Sequence, residues 1–175
     1  MQTSTVDLWD TIATEAERES PLWRDALRSE PEHEPVFSLL GEERYALGLE
    51  TIYEGYLVHY GQPRLFEPVD EDTALLLGDY LYAHGLVRIA DVGSVEAVAD
   101  LAELISLCSQ LRADSAPGDG AVWAASASLL GAGELEEARV ALRDNADRAP
   151  LTELAEAHAG PALEQALIAH DRRLR

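Results

Sequence analysis

The chain has 175 residues, 47% of them hydrophobic, enough to bury one core and too few for several. Its 33 acidic residues face 13 basic ones, every one an arginine, for a net charge of -20; such a surface repels phosphate backbones and anionic lipid and argues against a nucleic-acid partner. A single cysteine, Cys108, can form neither an internal disulfide nor a thiol zinc cluster, and no apolar run approaches the roughly 20 residues that cross a bilayer, so a cytoplasmic protein without a membrane span is expected.

Apolar residues recur every three or four positions almost throughout, and alternating strand patterns are nearly absent. The expected fold is all-α, a single helical bundle of about 7-8 helices, with residues 1-30 as an N-terminal helical segment and 36-175 as the bundle core. A first helix from Thr5 to Glu19 places Val6, Trp9, Ile12, Ala13 and Ala16 on one face and ends at Pro21. A short turn over Leu22 to Arg28 and a loop from Ser29 to Pro35 follow. The next helix spans Val36 to Tyr60 and stops at Gly61, with Pro63 just beyond. Asp70 caps a helix reaching Val92; Ser94 caps another carrying Val95, Val98, Leu101, Leu104, Ile105, Cys108 and Leu111, without a full capping box because Ala97 stands at its third position. Asp114 to Gly120 is a loop, Ala121 to Ala132 a small-residue helix closed by Gly131 and Gly133. Helices from Glu134 to Arg148 and from Leu151 to Leu174, the second kinked at Pro161, complete the set.

Gly41, Gly48 and Gly55 fall seven apart, as do Gly78 and Gly85. Interior helix glycine costs about 1 kcal/mol relative to alanine, so five of them imply a steric purpose. Seven residues is nearly two helical turns, which puts each set on one face. Either the smooth faces let two helices cross closely, or they leave a groove for an elongated apolar ligand, walled by the stripe of Leu49, Ile52, Tyr53, Tyr56 and Tyr60.

The run Gly78, Asp79, Tyr80, Leu81, Tyr82, Ala83, followed by a turn and the helix SVEAVADLAELIS, resembles the middle of the all-helical trans-polyprenyl diphosphate synthases. Gly61, Gln62 and Pro63 stand where that family often has Gly-Arg-Pro, and AVWAASASLLGA looks like its small apolar helix. The family's two aspartate-rich motifs are missing: the place of the first reads LVHYGQP, with His59 and Tyr60, and Asp144 and Asp147 have the wrong spacing for the second. Magnesium on a diphosphate needs hard oxygen ligands, which imidazole and phenol do not supply. The resemblance therefore implies a shortened, non-catalytic relative that keeps a helical scaffold, whose cavity in the family holds a growing isoprenoid chain.

Other constellations are weaker. His33, His59, His84, His158 and His170 are scattered without a metal-binding spacing, and no cofactor is expected. Glu50 and Glu54, one turn apart, read as an exposed acidic face rather than a carboxylate metal site with His59 or His84. Runs such as Glu15 to Glu19 and Glu134 to Glu137 read as solvated faces. Asp79, between Leu77 and Leu81, needs a partner or an upward pKa shift; it either accepts hydrogen bonds from a facing Arg, Tyr or His or orients a ligand's head group. Cys108 reads as a small hydrophobe. The leading expectation is non-catalytic binding of an isoprenoid or fatty-acid-like chain between the third and fourth helices, contacted by Tyr53, Tyr56, His59, Tyr60, Asp79 and Tyr82 and lined by Gly48, Gly55 and Gly78. About 0.8 kcal/mol per buried CH₂ makes one or two polar anchors sufficient. The alternative is a regulatory or structural subunit that pairs with a polyprenyl synthase or with itself as a homodimer. An enzyme of unfamiliar chemistry using His59 and Asp79 is a third reading.

Overall fold

Capping side chains set the starts of four helices. In the computed structural model, which describes residues 7-174, the Asp7 carboxylate accepts from the Trp9 amide at 3.0 Å and opens α1 (Leu8–Glu19), which buries Trp9, Ile12 and Ala16. Val6, expected on that face, lies outside the described residues. Ser20 closes α1 and caps α2 (Pro21–Asp25) through its hydroxyl. Pro21 thus begins a helix as well as ending one, since its missing N–H is unneeded in a first turn.

The expected helix over Val36 to Tyr60 is not continuous. Ser38–Leu40 and Glu43–Tyr45 are single 3-10 turns, and α3 runs only over Ala46–Tyr60. The amides of Val36 and Ser38 both donate, at 3.0 Å, to one oxygen of Glu50 instead of to carbonyls of a preceding turn. Gly41 is extended there, and a Cβ on it would stand 2.6 Å from the Ala127 carbonyl oxygen. Its sevenfold spacing from Gly48 is therefore not a shared helical face.

The following helices begin as the caps indicate: α4 (Glu71–Val92) with Asp70 accepting from Thr73 at 2.7 Å, and α5 (Val95–Ala113) with Ser94 accepting from Ala97. Next come α6 (Asp119–Ser128) and α7 (Glu136–Asn145), each shorter than its apolar pattern suggests. The last expected helix is two, α8 (Ala149–His158) and α9 (Leu163–Arg173), separated by a 3-10 turn at Gly160–Ala162. Gly160 takes a left-handed φ of 70° and Pro161 brings no amide, so the break is complete rather than a kink. The fold is all-α, with nine α-helices among the described residues. Splitting the last helix and counting the short α2 accounts for the excess over the expected number. Leu27 and Phe66 form an isolated antiparallel bridge that ties the two loops flanking α3.

Central α3 is buried continuously from Gly48 to Val58. One side joins a large core with Leu101, Leu104, Trp123 and Leu151. Val58, near its end, joins a smaller core with Trp9, Trp23, Phe66 and Leu81. No helix is long and apolar enough to cross a membrane among the described residues.

Candidate functional site

The glycines of α3 and α4 meet backbone to backbone. A Cβ on Gly55 would lie 3.0 Å from the Gly78 carbonyl oxygen, and one on Gly85 would lie 3.1 Å from that of Gly48. A side chain on Gly78 would strike the His59 ring. The close-crossing explanation therefore holds for Gly48, Gly55, Gly78 and Gly85, and at these positions the two helices leave no groove.

The remaining candidate residues form two groups that touch through Tyr60, whose ring centre lies 5.0 Å from that of Tyr56. His59, Asp79, Tyr82 and Tyr60 gather at one end of the crossing: His59 Nε2 lies 3.3 Å from Asp79 Oδ1, and its ring centre is 5.1 Å from that of Tyr82 and 5.6 Å from that of Tyr60. Burial lowers the His59 pKa below its ordinary value, and the opposing pull of Asp79 does not make up the difference. Asp79 itself projects outward, its side chain 66% exposed, so it has found the histidine partner without the burial its apolar neighbours suggested.

Tyr53 and Tyr56 are buried within the large core, against whose edge Tyr60 and Tyr82 also pack. Tyr53 Oη and His170 Nδ1 are 2.9 Å apart, and His170 Nε2 lies 3.3 Å from Asp119 Oδ2. Tyr56 donates a short hydrogen bond to the same carboxylate, and Arg112 donates to Tyr56 Oη at 2.9 Å and to Asp119 at 2.5 Å. Phe37 and Trp123 stack beside them at 5.3 Å. Burial alone would raise the Asp119 carboxyl, but His170, Tyr56 and Arg112 outweigh it and hold the group well below the usual carboxylate range. Burial pushes both phenols and the Cys108 thiol upward. The carboxylate stays ionised and the hydroxyls and thiol stay protonated. The network is thus suited to holding α3, α5, α6 and α9 together, and Cys108 behaves as the small hydrophobe its sequence position suggests.

Glu50 and Glu54 are not an exposed face. Both are fully buried around Arg64, itself fully buried. Arg64 donates to Glu50 at 2.5 Å, to Glu54 at 2.9 Å and to the Glu34 carbonyl at 2.8 Å. Glu54 also accepts the amides of Arg64 and Leu65 at 2.8 and 2.7 Å. Burial alone would lower the Arg64 pKa, yet the two carboxylates raise it above the ordinary arginine value. The same loops reach α9: Arg173 donates to Glu32 and Glu34, and Arg172 to Glu34, all between 2.7 and 2.9 Å.

The histidines do not converge. His84 lies 2.7 Å from Glu15, which also takes Arg88 at 2.6 Å, and His33 stacks on Trp9. No group of three or more His, Cys, Asp or Glu able to hold a metal occurs among the described residues.

The outer face of α4 is of a different kind. At 3.6 residues per turn, Asp72, Leu76, Asp79, Ala83, Val87 and Ala90 fall within an arc of about 80°, and all six are exposed. Leu75, Leu76 and Val87 are each 56% exposed, and six of the nine large exposed hydrophobics lie between Val69 and Val95. The one basic residue of α4, Arg88, turns inward to Glu15 and Thr51. The outward charges of the helix are therefore Glu71, Asp72, Asp79 and Asp91.

No protein-family model, curated protein or solved structure matches this chain. The resemblance to polyprenyl synthases accordingly rests on sequence motifs alone, those around Gly61, Gly78 and Asp79 and the small apolar helix.

Proposed function

We propose that the protein is a non-catalytic interaction subunit that receives a basic amphipathic helix of another protein along the outer face of α4. The supporting observation is the exposure of Leu75, Leu76, Val87 and Val92 on this 22-residue helix, interspersed with the carboxylates of Asp72 and Asp79 and with no outward cation. Isolated surface hydrophobics need no explanation, whereas several exposed on one helix suit an interaction surface.

Charge selects the occupant. Two copies meeting through α4 would bring like-charged rims together on chains of net charge -20, which opposes self-pairing. A helix with leucines on one face and lysine or arginine on its flanks fits both the stripe and the rim. Taken with the sequence resemblance, a cytoplasmic polyprenyl synthase is the first protein in which to seek that helix.

The test is a fluorescence-anisotropy titration with two synthetic helical peptides that share one leucine pattern, flanked by lysine in one and by glutamate in the other. The lysine peptide is expected to bind, more weakly as salt rises, and to lose at least tenfold in affinity to Leu76→Glu/Val87→Glu. Both positions are exposed, so thermal unfolding should hardly change. Equal binding of both peptides or no binding of either refutes the reading. A dimeric mass in sedimentation that reverts to monomer in the double variant would replace it with self-pairing.

A further inference from the structure

Away from α4, the carboxyl-terminal ends of α5 and α7 enclose a cleft of about 590 Å³, within the range that accommodates small molecules. Its floor is Leu107, Leu111 and Leu142, each with only the last few per cent of its surface exposed. Arg143 and Arg148 stand on its rim.

Two features coincide at this cleft. The first is backbone strain: Ser115 and Ala146, with φ of 52° and 55°, are the two non-glycine residues with positive φ among the described residues. Ala146 lines the cleft, and Ser115 lies between two residues that do, Asp114 and Ala116. These left-handed residues end the helices: the Ala116 amide returns to the Leu111 carbonyl at 2.8 Å and the Ala146 amide to that of Leu142 at 3.0 Å. Strain of this kind gathers at ligand sites. The second is an unpaired cation. In a chain with 33 acidic residues, Arg148 has no carboxylate partner among the described residues; it is held by one hydrogen bond, from its Nη1 to the Pro117 carbonyl at 2.9 Å. Its other guanidinium N–H groups have no protein partner among the described residues and face solvent at the mouth of the cleft. Arg143, across the rim, gives one N–H to Glu103 at 2.8 Å and is otherwise exposed.

We propose that this cleft binds an amphipathic monoanion, an unbranched apolar chain ending in a carboxylate, with the chain on the three leucines and the head group on Arg148. One negative charge is the number the rim accommodates. Arg148 supplies one uncompensated cation, while Asp114 on the same rim and the overall charge of the protein oppose a phosphate dianion.

Decanoate and decyltrimethylammonium below their micellar concentrations, and decanol below its solubility limit, separate chain from charge when titrated into ¹⁵N-labelled protein at pH 7. Decanoate is expected to shift the amides of Leu107, Leu111 and Leu142 and to bind at least tenfold more tightly than decanol. Arg148→Gln should reduce decanoate to the decanol level. Arg24→Gln, at an exposed arginine paired with Asp25, should leave it unchanged. Absence of binding at millimolar decanoate, equal affinity for decanoate and decanol, shifts confined to other helices, or full affinity in Arg148→Gln would each overturn the proposal. Leu76→Glu/Val87→Glu should not affect decanoate, so the fates of the cleft and of the α4 face are read separately.

Discussion

Replacing Arg64 by methionine removes a cation of similar length from between two fully buried carboxylates. Glu50 and Glu54 each keep two backbone amides, so their hydrogen bonding is only partly lost, but their charges become uncompensated. Breaking a buried ion pair from one side costs about 3–5 kcal/mol, a large part of the roughly 5–15 kcal/mol that keeps a domain folded. The guanidinium also lies over the rings of Trp9 and Tyr53, at 4.6 and 5.0 Å, which places the expected loss toward the upper end. For a chain of this size the melting temperature should fall by about 6–20 °C. Urea unfolding followed by circular dichroism should show a lower midpoint at an unchanged slope. Adding Glu50→Gln and Glu54→Gln to Arg64→Met should recover more than half of the loss, because each amide oxygen still accepts the same backbone N–H groups without carrying charge. A cost below about 1 kcal/mol for Arg64→Met, or no recovery in the triple variant, would refute the claim that charge balance at this centre governs stability.

Gly85→Ala should destabilise by about 1–3 kcal/mol through overpacking although alanine is the better helix former, because its Cβ would press on Ile52 and the Gly48 carbonyl; thermal melts decide the sign. Asp119→Asn should cost about 1–3 kcal/mol at pH 7 by disrupting the buried network. Because the folded pKa of Asp119 is depressed, its contribution is present above the unfolded value near 4 and disappears as pH falls through the folded one. The acid limb of the stability curve below about pH 4 should therefore be flatter in the variant, as read from urea midpoints between pH 2 and 7. Ala146→Gly should stabilise by about 1 kcal/mol, since glycine accepts the left-handed φ that costs an L-residue about that much; an unchanged or lower melting temperature would contradict the strain assigned to that turn.

Helix identity was largely legible because it is written locally. Asp70 and Ser94 announce α4 and α5 by side-chain chemistry that reaches three positions along the chain, whereas the glycine spacing admits a close crossing or a groove and only the packing decides for the crossing. What failed depends on residues far apart in the chain. Nothing near Val36 shows that its amide will be claimed by a carboxylate 14 positions away, and the periodicity alone therefore carries the helix through Gly41. Glu50 and Glu54 looked solvated because the arginine that neutralises them sits in a loop beyond the end of α3. Arg112, Asp119 and His170 carried no spacing signal at all, since their meeting with Tyr53 and Tyr56 is made by packing α5, α6 and α9 around one helix. The lack of lysine was the available hint: arginine is the cation suited to buried, multiply bonded pairing, and several of the arginines are used in that way.

The contacts of α9 impose an order on how the molecule can be made. Arg172 and Arg173 reach Glu34 across 138 and 139 positions, and His170 reaches Tyr53 across 117. During synthesis α3 emerges with its aromatic side already formed but without the helix that covers it, while α4 through α8 are still being added. For that interval the nascent chain exposes the tyrosines and Phe37 of its own centre. Their protection by α9 comes only after α4 to α8 have appeared, which makes the time between the exit of α3 and the arrival of α9 a period of exposure to chaperones and to aggregation.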